Sequence, residues 1–202
     1  MAFTPSTIAA LIIAASFAAG LNVYATVLTL GLLAHTHWVV LPSGLDTLGN
    51  WWVISVSAVL FGVEFFADKI PALDMLWNAL HTFIRIPVAG LLAYRASMHL
   101  SPGMQVLATA AGAAIALAAH GSKTAIRAAV TPSPEPVSNI ALSTSEDVLA
   151  IGLTWLATSH PWIAASIAAT LIVFAVLAIR WIIKFIRKAW QKTKTTPALQ
   201  SP

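Results

Sequence analysis

Long apolar runs, each near the length of a bilayer crossing, alternate with short polar interruptions along most of the chain. A helix needs about 20 apolar residues to cross the hydrocarbon, and such runs occupy residues 7–34, 51–67, 86–100, 103–120, 140–158 and 161–183. The pattern predicts an all-α fold, a polytopic membrane helix bundle of about six transmembrane helices over 1–183, followed by a basic cytoplasmic tail over 184–202. The third run is short and carries Arg95. Ahead of it, Pro71 opens a stretch with Leu73, Leu76, Trp77, Leu80, Phe83 and Ile84 on one side and Asp74, Asn78, His81 and Arg85 on the other. The polar set falls at i, i+4, i+7 and i+11, which predicts an amphipathic or re-entrant helix near 71–85. Alternate prolines in T-P-S-P-E-P-V-S-N at 131–139 predict an extended loop. Ser143 with Glu146, and Thr144 with Asp147, fit capping boxes and predict that the next helix starts near Thr144. The small residues A-T-A-A-G-A-A-I-A-L-A-A of the fourth run suit close helix approach and predict a central place for it.

Composition narrows the class further. With 58% hydrophobic and 9% charged residues and a mean hydropathy of +0.83, the chain is too apolar for an ordinary soluble domain. The net charge of +4 does not point to nucleic acid, because Arg180, Lys184, Arg187, Lys188, Lys192 and Lys194 are six of the eleven basic residues and cluster at the end of the last run. Lys69, Arg85, Lys123 and Arg127 follow the second and fourth runs, while 35–50, 101–102 and 159–160 carry no Lys or Arg. The positive-inside rule then puts both termini in the cytoplasm. Tryptophans agree, with Trp38, Trp51, Trp52, Trp155 and Trp162 around the outer loops and Trp77, Trp181 and Trp190 on the inner side. No basic residue precedes Lys69 and the first apolar run continues to about Ala34, which predicts a retained helix rather than a signal peptide. Cysteine is absent, so disulfides, thiolate metal sites and Cys nucleophiles are excluded.

Ionisable side chains near a bilayer core cost roughly 2.5–3.5 kcal/mol each on insertion scales, so they mark function. Glu64 and Asp68 share a helix face and Lys69 follows directly; Asp74 adds a third carboxylate. The alternative for Asp68 and Lys69 is an interfacial snorkelling pair. His120, Lys123 and Arg127 at i, i+3, i+7 form a cationic stripe able to neutralise the acids or hold an anion; positive-inside retention is its plainer explanation. Asn22, Thr26 and Thr29, with Tyr24, follow Gly20 in the first run, as in discontinuous helices that expose backbone to a substrate, although helix-to-helix hydrogen bonding is the commoner role. His81, Arg85, Asn139, Glu146 and Asp147 are secondary candidates, the last three also explained by turn and capping chemistry. No metal site is expected, since His35 and His37 form only an H-x-H beside a loop, and no cofactor is expected. Without G-x-S-x-G, H-E-x-x-H or a nucleotide loop, the chain is not expected to be an enzyme.

The segments G-L-N-V-Y-A-T at 20–26, V-E-F-F-A-D-K-I-P-A-L-D at 63–74, H-G-S-K-T-A-I-R at 120–127, and S-P-E-P-V-S-N with S-T-S-E-D within 133–147 together resemble the bacterial membrane family called domain of unknown function 4126, over about residues 10–165. The resemblance implies a small polytopic protein of the bacterial inner membrane whose family has no settled activity. Val23 stands where that family more often has proline, so the resemblance does not itself imply a sharp helix break there. E-F-F-A-D-K is also similar, more weakly, to the E-x-G-D-K signature of cation/proton exchangers in the lysine-exporter superfamily. Here the glutamate lies one residue further from the aspartate, Ala67 replaces the glycine, and a second copy is missing.

These features together point first to a small proton-coupled secondary transporter of a small ion or solute, with Glu64, Asp68 and Asn22 at the site and Lys69 and Lys123 as counter-charges. Binding or translocation of an anionic lipid or phosphorylated carrier is the alternative, and a non-transporting scaffold or regulator a third. The expected partners are the lipid bilayer, a small ion or anionic substrate and a second copy of the chain as a homodimer, with no nucleic acid.

Overall fold

Proline places most of the helix starts. Its missing N–H is no loss in the first turn, where backbone donors have no partner, and five of the helices begin with it. The computed structural model describes residues 3–130 and 136–194. Within them the order is α1 (Pro5–Leu21), α2 (Val23–Thr36), a 3-10 segment (Ser43–Gly49), α3 (Trp51–Ala67), α4 (Pro71–Ala96), α5 (Pro102–Val130), α6 (Pro136–Ser159) and α7 (Pro161–Lys194). Four helical stretches are long and apolar enough to cross a membrane: Leu76–Ala96, Pro102–Arg127, Val137–Ser159 and Pro161–Trp181. The 3-10 segment and α3, bent by 69° at their junction, make a fifth if taken together, and α1 and α2 are shorter apolar helices.

Three boundaries differ from the sequence reading. The run 7–34 is two helices, interrupted at Asn22, whose extended backbone (φ −148°, ψ 104°) ends α1 while its side-chain oxygen accepts from Ala25 N at 2.9 Å and caps α2. The amphipathic stretch 71–85 and the short run 86–100 are one helix, α4, with Pro87 inside it. Helix α6 begins at Pro136 rather than near Thr144, so Ser143, Glu146 and Asp147 lie within a helix and cap nothing. Residues 131–135 of the expected loop, and the side chains of Asp74 and the end of the basic tail, lie outside the described residues.

The centre of the bundle is α1, not α5. Helix α1 is apolar and rich in small residues on every side, which suits a helix surrounded by others, and it packs against α4, α5, α6 and α7. Helix α5 lies against α4 and α1 and turns Met104, Val106, Leu107 and Leu117 outward. Its small residues do serve close approach, on one face only: a Cβ added at Gly20 would stand 2.6 Å from both the Ala116 carbonyl oxygen and Ala119 Cβ, and one at Gly112 2.6 Å from Ala93 Cβ.

Backbone cannot yield to such a contact without separating the helices. Gly20→Ala is expected to lower stability by about 1–3 kcal/mol, the usual cost of overpacking, read as a fall in melting temperature in detergent. Gly152→Ala, with open space around the added methyl group, serves as the control and is expected to melt no lower than wild type.

Candidate functional site

Polar residues spaced at helical intervals bring charge to one level of the bundle. Glu64 and Asp68 come from the end of α3, Asn78, His81 and Arg85 from α4, His120, Lys123 and Arg127 from α5, and Asn139, Glu146 and Asp147 from α6; all are buried. Arg85 and Asp147 fall near the middle of their spans. Around them stand Leu21 and Asn22 at the interrupted helix.

Lys123 is the hub. Its side chain is fully buried, and Nζ lies 2.8 Å from Asp68 Oδ2, 3.2 Å from Glu146 Oε2 and 3.8 Å from Glu64 Oε1. It also donates to the Leu21 carbonyl at 3.2 Å, one of the acceptors that the end of α1 leaves without a helical partner. On the other side of the interruption Asn22 Nδ2 donates to Asp147 Oδ1 at 2.8 Å. The cation-favouring end of α1 therefore faces Lys123, and the anion-favouring start of α2 is linked through its cap to a carboxylate.

Two arginines flank this hub. Arg127 joins Asp68 to Glu146: Nη2 pairs with Glu146 Oε2 and lies 3.2 Å from Asp68 Oδ2, while Nη1 donates to the Asp68 carbonyl at 3.1 Å. Arg85 pairs with Glu64 through Nη2, and its Nη1 donates to Asn78 Oδ1 at 3.0 Å and to His120 Nδ1 at 2.8 Å. Because a guanidinium only donates, His120 accepts at Nδ1 and carries its proton on Nε2. That proton goes to Thr82 Oγ1 at 2.7 Å, and the Thr82 hydroxyl donates in turn to the Asn78 carbonyl at 3.1 Å. His81 donates from Nδ1 to the Trp77 carbonyl at 2.7 Å, leaving Nε2 to accept from Tyr24 OH at 2.9 Å.

The sequence candidates divide accordingly. Asn22, Glu64, Asp68, His120, Lys123, Arg127, Arg85, Asn139, Glu146 and Asp147 are brought together; Tyr24 and His81 form an adjoining pair, and Thr26 bonds back to the Asn22 carbonyl at 2.9 Å. Lys69 does not join as a counter-charge to Asp68. Its Nζ donates to the Phe65 carbonyl at 2.9 Å and sits 3.1 Å from the centroid of the Phe65 ring, acceptors that its own helix supplies one turn back. Lys69 lies outside the spans, and partial burial lowers its ammonium pKa from the ordinary value against the opposing pull of Asp147 and Asp68. Thr29 bonds to its own helix at Ala25 O. Ser143 and Thr154, not among the candidates, are fully buried on the α6 face that carries Asp147; the intervals Asn139, Ser143, Asp147, Thr154 were the signal for both.

Among the described residues Glu64, Asp68, Glu146 and Asp147 stand against Arg85, Lys123 and Arg127, each of which is engaged by a carboxylate, and Lys69, on which Asp147 and Asp68 also pull, makes the numbers even. A cleft of about 300 Å³ opens beside Lys123 and Glu146 between α1, α5, α6 and α7, lined mainly by Phe17, Leu142, Leu149 and Phe174. Among the described residues no three acidic or histidine side chains converge as a metal site.

The chain belongs to the family described as Domain of unknown function (DUF4126), whose model matches residues 9–181. No curated protein and no solved structure matches it.

Removing one member of a buried pair strands the other, at about 3–5 kcal/mol. Arg85→Met is expected to destabilise by that amount, and adding Glu64→Gln to recover part of the loss, because the second change removes the stranded charge. A double-mutant cycle by unfolding in detergent checks this; strictly additive losses would refute the pairing.

Proposed function

We propose that this member of the family is a small proton-coupled secondary transporter of a small ion or solute in the bacterial inner membrane, with Glu64 carrying the coupling proton. The observation that carries the reading is Lys123, one ammonium held by three carboxylates and by the open end of an interrupted helix. Protonating Glu64 removes one of the three attractions, so the ammonium shifts toward Asp68 and Glu146. Deprotonation draws it back. A group with competing partners of similar distance is a two-state element whose balance a proton can tip.

The interruption transmits that shift. Since Lys123 also holds the Leu21 carbonyl, its displacement changes the load on the α1–α2 junction, as in transporters whose half-helices meet substrate and coupling ion at the midplane. Arg127 keeps Asp68 and Glu146 paired throughout. Arg85 steadies Glu64 and is itself oriented by Asn78 and His120. In this reading α1 and α2 make one interrupted crossing, the bundle crosses six times, and the distribution of Lys and Arg puts both termini in the cytoplasm.

Flux tests the proposal directly. Proteoliposomes containing a trapped pH indicator are given outward or inward gradients of sodium, lithium, potassium or calcium, or of small uncharged solutes. Wild type is expected to move protons in response to one of these. Glu64→Gln, present as folded protein in equal amount, is expected to slow that movement at least about tenfold, or about 1.4 kcal/mol in barrier, and to flatten its pH dependence. Unchanged flux with an unchanged pH profile would refute the coupling role.

A further inference from the structure

Five acceptor oxygens near the hub have no hydrogen-bond donor among the described residues: Glu64 Oε2, and, on the side facing α6, Asp68 Oδ1, Asn139 Oδ1, Ser143 Oγ and Asp147 Oδ2. The last four residues are at least nine-tenths buried, Asp68 and Ser143 fully so. Buried acceptors of this kind are costly when unpaired, and they are not scattered. Asn139, Ser143 and Asp147 succeed one another at single-turn intervals on one face of α6, about 6 Å apart along the axis. Asn139 Nδ2 donates to the Asp68 carbonyl at 3.3 Å, which brings the end of α3 to that same face.

Of the four carboxyls, Asp147 alone has no ion pair among the described residues, so its negative charge is met by the Asn22 amide and, from a distance, by Lys69. A proton on one carboxyl would cancel it but serve at most two of these oxygens, its own and the one it donates to, leaving the others as they are. A hard monovalent cation cancels the charge and takes several oxygen ligands at once, neutral ones included. We propose that Asp68, Ser143 and Asp147, with Asn139 at the margin, bind a monovalent alkali cation of the sodium class. This deepens the transport reading by naming the class of ion carried or coupled. Asp147, held by Asn22, places the ion beside the interruption of the first apolar run.

Binding is measured on the whole purified protein in detergent at about pH 8, at constant ionic strength, as choline chloride is replaced by sodium, lithium or potassium chloride. Wild type is expected to show a saturable rise in melting temperature with sodium or lithium, since a ligand stabilises the state that binds it. Ser143→Ala and Asp147→Asn are each expected to weaken the apparent affinity about tenfold or more. In choline alone Ser143→Ala is expected to melt no lower than wild type, because its hydroxyl has no partner to lose among the described residues. A wild type indifferent to all three cations overturns the proposal, and so does a response of equal affinity in both variants. The readout is equilibrium binding, so a lost cation response leaves the Glu64 flux result standing, and a lost flux leaves the cation response standing.

Discussion

Charge withdrawn from water has to be answered by opposite charge or by oriented dipoles, and this bundle answers it around a single ammonium. Without its carboxylates Lys123 would be a buried ammonium with no counter-charge, and without it and the two arginines Asp68, Glu64 and Glu146 would have no cation beside them. The dependence is mutual. It explains why α3, which otherwise presents Val56, Val59, Val63 and Phe66 outward, is held at its far end: Glu64 and Asp68 are its deepest attachments.

The interruption at Asn22 belongs to the same economy of dipoles. A continuous helix would bury the Leu21 carbonyl in its own hydrogen-bond ladder and offer Lys123 nothing. Ending α1 there frees that acceptor, and the asparagine side chain repairs the start of α2 while reaching Asp147. Nearby, Gly20 lets α5 come close enough for Lys123 to reach the gap.

Much of the site was legible because polar residues at three- and four-residue intervals have few reasons to exist in apolar helices. The Glu64–Asp68 pair and the His120, Lys123, Arg127 stripe follow from spacing alone, and Asn22 after Gly20 marked the interruption's place, although not that the chain would part there. The change from an amphipathic stripe to an apolar run after Arg85 suggested a boundary, but α4 continues through it and through Pro87, since a membrane helix tolerates a lost backbone bond when neighbouring segments support it. Pro136 suggested loop, whereas in the first turn it starts α6. Arg85 ranked second because its helix looked interfacial; once α4 is continuous, that side chain points inward. Lys69 ranked first through adjacency to Asp68, yet both lie past the end of α3, and in that turn the Lys69 side chain folds back to the Phe65 carbonyl. Helix α5's small residues indicated close packing and could not say which neighbour would surround which.

The members of the ionic cluster reach the ribosome's exit far apart in time. Asp68 precedes Lys123 by 55 residues and Arg127 by 59, and Asn22 precedes Asp147 by 125. When α3 emerges, its two acids await their cations: Glu64 meets Arg85 only with α4, and Asp68 meets Lys123 and Arg127 only with α5. The ionic cluster can therefore close only after α5 has been made, and until then the end of α3 holds its acids apart from the cations that later surround them.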